Sequence, residues 1–164
     1  MQLMNNYYKS LLIFFILCPI ILVGQGFVMT GADVNGEASD DRFGHSVSLD
    51  ADGDRMAIGA LYNDGNGNSS GHVRVYALSS GSWTQLGSDI DGEASYDNSG
   101  YSVSLNAAGD RVAIGAPGND DASGQSGHVR VYAYSSGSWT QLGSDINGNP
   151  SNDESGWSVS LNAA

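Results

Sequence analysis

The chain repeats itself every 56 residues: Gly71–Ala108 and Gly127–Ala164 align without a gap, and 31 of those 38 positions are identical. A unit copied in series is too small to hide its apolar faces alone, so it folds by stacking against its neighbours. The repeat therefore narrows the architecture sharply and the activity much less.

Each copy shows the period-two alternation of strands and the turn residues of hairpins. In the first copy Ser46-Val47-Ser48-Leu49 leads through Asp52-Gly53 into Arg55–Ala60. His72–Ala77 then leads through Ser79-Ser80-Gly81 into Ser82–Leu86, a second hairpin. No segment beyond the first 25 residues carries a helical period, and Gly, Ser, Asn and Asp fill the connections. Four short antiparallel strands per unit predict an all-β fold of tandem four-stranded repeats, a partial β-propeller with copies at about 31–86, 87–142 and 143–164. A β-solenoid is the competing repeat architecture, but its rungs are shorter and pair with one another rather than in local hairpins. Gly26–Met29 aligns with Ser82–Gln85, which would start the mature chain on the last strand of a blade. About two and a half blades are present, against the four to eight or so of a closed propeller, so the chain is expected to be a fragment of a longer one.

Residues 1 to about 25 have a polar start with Lys9, an apolar run from Leu11 to Val23, and small residues at Gly24 and Gly26. This is the layout of a cleaved signal peptide, and the run of 13 residues is shorter than the roughly 20 that cross a bilayer. No membrane span is then expected after cleavage, and the product is expected to be secreted or at the cell surface. Beyond residue 25 there is no cysteine and no lysine, and five arginines face 18 carboxylates, a net charge of −13. Stability must come from burial or metal rather than disulfides. The charge argues against nucleic acid and anionic membranes as partners and makes divalent cations natural ones. It also serves solubility.

Phe43-Gly44-His45-Ser46-Val47 followed by Gly59-Ala60, and Gly100-Tyr101-Ser102-Val103 followed by Gly115-Ala116-Pro117, resemble the FG-GAP repeats of integrin α chains and of many secreted bacterial proteins. The resemblance covers about residues 26–164, with Ser99 and Ser155 in place of the phenylalanine and Leu61 in place of the proline. It implies a β-propeller and a non-enzymatic role in adhesion or ligand binding, with an extracellular protein or glycan as partner. Many family members also carry a calcium loop between the signature halves, where Asp50, Asp52 and Asp54 stand here. Ile58 occupies the ninth position of that loop and the second copy has Asn106, Ala108 and Asp110, so a tight hairpin turn is the better reading.

A better spaced set precedes each Gly-aromatic-Ser-Val strand. Asp33, Asn35, Glu37 and Asp41 fall at relative positions 1, 3, 5 and 9, and Asp89, Asp91, Glu93 and Asp97 repeat them. The third copy weakens the set to Asp145, Asn147, Asn149 and Asp153. Alternate oxygen-bearing side chains in a short loop can curl toward one calcium ion. The same residues also make an ordinary solvated turn, and both readings stand.

His72 and His128 are one repeat position, whereas His45 becomes Tyr101 and Trp157 in the other copies. A position that accepts His, Tyr or Trp selects a flat ring for packing rather than a proton carrier. Trp83 and Trp139 likewise suit blade packing better than sugar stacking. The nucleophile elbow and the phosphate-binding glycine loop both need a strand opening onto a helix, and neither is present. No enzyme is expected. The alternative is the scaffold of a secreted carbohydrate-active hydrolase or lyase, whose paired carboxylates this acidic chain could supply.

Overall fold

A computed structural model describes residues 31–121, 124–149 and 152–163; the expected leader lies outside them. Among these residues there is no helix, and ten strands form two five-stranded antiparallel sheets. The first sheet holds β1 (Phe43–Leu49), β2 (Arg55–Ala60), β3 (His72–Ser79), β4 (Ser82–Gln85) and β5 (Ile90–Asp91). The second repeats it as β6 (Ser102–Leu105), β7 (Arg111–Ala116), β8 (His128–Ser135), β9 (Ser138–Gln141) and β10 (Ile146–Asn147). Local meanders in consecutive sheets are the propeller-like arrangement the alternation predicts.

Each sheet departs from the expected four strands in one respect. β3 is eight residues long, and β4 covers only its half from Tyr76 to Ser79. The uncovered half would leave a row of unpaired backbone groups. Ile90 and Asp91 fill it by pairing with Val73 and His72. The stretch expected to be a pure loop thus contains a strand, and the outer strand of each unit is interrupted.

Alternation along β3 sends Val73 and Val75 to one face and His72, Arg74 and Tyr76 to the other. Val73 and Val75 join Ala57, Ile90, Leu105, Val112 and Ile114 in one buried cluster that draws on both sheets, with Tyr132 and Trp139 packed against it. The aromatic anchor has a specific seat: Trp139 Nε1 donates to the Leu86 carbonyl of the preceding sheet at 2.8 Å.

The serines of the Ser-Val-Ser pattern join the units rather than meeting solvent. Ser46 Oγ donates to the Gly100 carbonyl at 2.6 Å and Ser48 Oγ accepts the Leu105 amide at 2.9 Å. Ser102 and Ser104 repeat both bonds toward Gly156 and Leu161 of the third copy. Close approach at this seam is possible because residue 59 has no Cβ; one added there would run into the Gly100 carbonyl oxygen. The rings at the variable aromatic position stack across the units, His45 on Tyr101 at 5.0 Å and Tyr101 on Trp157 at 4.6 Å between centroids. Packing is therefore what that position does.

Candidate functional site

The acidic connections between sheets do not curl around a point; they distribute their side chains to two neighbouring sheets. Asp89, just ahead of β5, turns back to its own sheet. Arg74 donates to it through Nε at 2.9 Å and Nη2 at 2.8 Å, and Gln85 Nε2 adds a third bond at 2.6 Å. Glu93, just beyond β5, instead pairs with Arg130 of the second sheet. Glu37 occupies the equivalent place against Arg74. Arg130 in turn holds Asp145 with the same fork, at 3.0 and 3.1 Å. Each arginine thus bridges the connection entering its sheet and the one leaving it, with charge-assisted bonds.

The remaining residues of the expected calcium sets go elsewhere. Asp41 is buried and accepts from Asn63 Nδ2 at 3.0 Å, and the same amide reaches Glu37 at 3.3 Å. Asp97 is buried and accepts the Ala94 amide at 3.0 Å. Asp33, Asn35 and Asp91 are exposed, and Asp91 is fixed in β5. A calcium ion needs about six to eight oxygens converging at 2.3–2.6 Å or so. Here the carboxylates of one connection diverge, Asp89 to Arg74 of the first sheet and Glu93 to Arg130 of the second. The residues do not fit a calcium ion held within one loop.

The hairpin carboxylates are turn formers. Asp50 Oδ1 accepts the amides of Asp54 and Arg55, both at 3.1 Å, and Asn106 Oδ1 does the same for Arg111 at 2.9 Å. An acceptor is all this position requires, so Asp and Asn serve equally.

The structure brings together residues that the spacing does not associate. The donor atoms of Glu37, His72 and Asp89 all lie within 4.8 Å of one another, as do those of Glu93, His128 and Asp145. Both histidines are buried, and burial pushes their imidazoles below the usual value while the nearby aspartate pulls the other way. Burial also pushes the Asp89 carboxyl up, but the Arg74 fork and the Gln85 amide outweigh it and leave it below the usual range. Asp91 is raised, first because the walls of the cleft partly desolvate its otherwise exposed carboxyl and then by the charge of Asp89. Arg74 is raised by its bonds to Asp89 and stays protonated. A sequence signal for half of this cluster exists: the interval from Arg74 to Asp89 is 15 residues, and from Arg130 to Asp145 it is the same.

Beside Asp89 a cleft of about 340 Å³ opens between the two sheets, lined by Ser88, Asp89, Ile90, Asp91, Tyr132, Ser138 and Trp139. It combines two carboxylates and two serine hydroxyls with the rings of Tyr132 and Trp139, a surface suited to polar groups carried on an apolar body.

No curated protein shows significant similarity to the chain. The model of the FG-GAP repeat matches residues 33–76, from the Asp33 connection through β1 and β2 to Tyr76 in β3. The likeness thus takes in β1, β2 and the first five residues of β3 in the first sheet.

Proposed function

We propose that the chain is a non-enzymatic interaction module acting outside the cell or at its surface, where it binds an extracellular protein or glycan. The repeat family supports this, since FG-GAP repeats are non-catalytic and typically occur in extracellular or cell-surface proteins. The observation that carries the reading is the cleft between the sheets. At about 340 Å³ it matches the smaller ligand pockets, and its mix of Asp91, Ser138, Tyr132 and Trp139 suits the hydroxyls and flat apolar faces of a sugar or a polar peptide side chain.

A second reading has one specific observation behind it. Asp89 and Asp91 line the same cleft and are shifted in opposite directions, which is the pattern of paired carboxylates with separate acid and base roles. One experiment distinguishes the two. The purified chain is applied to a glycan array and to immobilised extracellular proteins, and incubated in parallel with polysaccharides while reducing ends are measured. Saturable binding without product, weakened about tenfold in Asp91→Asn by the loss of one charged hydrogen bond, is the expected result. Product release that disappears in Asp91→Asn would establish the enzyme instead, and absence of any binding would sink the interaction reading.

A further inference from the structure

Residues 26–164 hold no cysteine, so no disulfide cross-links the successive sheets, yet three potential metal ligands converge where the sheets meet. Glu93 comes from the connection leaving the first sheet, His128 opens β8, and Asp145 stands just ahead of β10. Among the described residues His128 Nδ1 is buried and has no hydrogen-bond partner. The nearest carboxylate oxygens are Asp145 Oδ2 at 3.8 Å and Glu93 Oε2 at 3.9 Å, too far for a hydrogen bond. A buried ring nitrogen left bare beside two acceptors is costly, unless something between them accepts its lone pair.

We propose that Glu93, His128 and Asp145 bind a divalent transition-metal ion of borderline softness, of the zinc class, which clips the second sheet to the connection from the first. In a tetrahedral site with metal–ligand bonds of about 2.0–2.2 Å, neighbouring ligand atoms lie ~3.4 Å apart. The His128 Nδ1 separations of 3.8 and 3.9 Å exceed that by about half an ångström, and all three ligand atoms lie within 4.8 Å of one another, so side-chain rotation must draw them together. One nitrogen and two carboxylate oxygens form a borderline donor set that leaves a fourth position for water.

Arg130 does not exclude the ion. Glu93 divides its oxygens, Oε1 toward Arg130 and Oε2 toward His128, while Asp145 Oδ2 accepts from Arg130 Nη2 at 3.1 Å and keeps its second lone pair for the ion. Two carboxylates against one arginine leave the cluster a net charge of −1, within a chain that is itself strongly acidic. The first sheet repeats the arrangement with Glu37, His72 and Asp89, where His72 Nδ1 lies 3.5 Å from Asp89 Oδ2. The third copy has Asn149 at the glutamate position, so the described chain offers two such sites.

The test uses the whole chain, stripped with chelator and titrated with Zn²⁺ and with Co²⁺. Saturable uptake of two ions, visible Co²⁺ bands of tetrahedral type, and a thermal midpoint raised by Zn²⁺ but not by Ca²⁺ or Mg²⁺ are expected. Glu93→Gln, at a half-exposed position that tolerates change, should remove one equivalent, as should His128→Asn; His45→Asn, in the ring stack, should keep both. If His128→Asn does not fold, the glutamate variant decides. A folded chain whose melting is indifferent to Zn²⁺, or uptake undiminished in Glu93→Gln, would mean that the arginine closes the cluster by itself and would overturn the proposal.

Discussion

At the scale of single residues, Asp97 separates a metal ligand from a carboxyl that the fold merely buries. Burial raises its carboxyl above the ordinary carboxylate range, outweighing the hydrogen bonds from the Ala94 amide and the Asn119 side chain. A carboxyl raised on folding stabilises the native state below its unfolded value of about 3.9 and loses that contribution as pH rises through the folded value. At neutral pH its ionised form is therefore a liability. Asp97→Asn, whose amide oxygen can still accept from Ala94, should melt higher than the parent at neutral pH in the presence of chelator, and the gap should close as the solution is acidified. Thermal melts across the acid range check this; a variant that melts lower at neutral pH would indicate that the charge is paired. This residue also illustrates the limit of spacing as evidence. The 1, 3, 5, 9 pattern records oxygen-bearing residues along a chain, but Asp89 turns to Arg74 and Glu93 to Arg130 on different sheets. The 15-residue Arg–Asp interval, present in both copies, carries a signal for part of the cluster, but nothing in the sequence alone singles it out from the other repeated intervals. The glutamates could not be assigned, because each belongs to an arginine on an element that comes later in the chain.

At the scale of strands, alternation and turn chemistry located β1 to β4 and their copies, because each hairpin carries its own local signal. It missed β5 and β10, which are two residues long and show no period. Their existence follows from the length of β3 and β8, whose far halves need partners. Alternation also placed the serines of β1 without showing that they bridge to the next unit, a role fixed by the seam. The seam sets the glycine demands. Gly59 pairs with Val73 inside the sheet, and any Cβ there meets the backbone of Gly100. Gly81 lies in the β3–β4 turn at φ +79°, with open space around it. Its requirement is conformational, so Gly81→Asn should be nearly neutral, since Asn enters the left-handed region readily. Gly59→Ala should cost about 1–3 kcal/mol, because backbone rather than a flexible side chain must move. Urea midpoints of the two variants measure the contrast, and equal losses would show that the units do not approach as closely as the seam requires.

At the scale of the whole molecule, the repeat creates equivalent positions whose surroundings differ by one neighbouring sheet. Leu49 in β1 and Leu105 in β6 occupy the same place in their units, yet Leu49 is 54% exposed and Leu105 only 5%. The difference is the first sheet itself, which lies over β6 and brings Leu105 into the shared core. Burial of this kind is what makes stacked repeats stable, and it belongs to the interface rather than to either unit. Leu105→Ala should therefore cost about 2–5 kcal/mol, as deletion of a buried leucine does, whereas Leu49→Ala should stay within about 0.5 kcal/mol. Chemical denaturation of the two variants reads the interface directly, with the parent chain as reference. Two losses of similar size would mean either that Leu49 is covered in solution or that the sheets do not pack on one another, and the ring stack of His45, Tyr101 and Trp157 would separate these. If the sheets were apart, the contact of His45 with Tyr101 would be lost, and the ring-current shift it places on the His45 ring protons would be missing from the NMR spectrum of the parent.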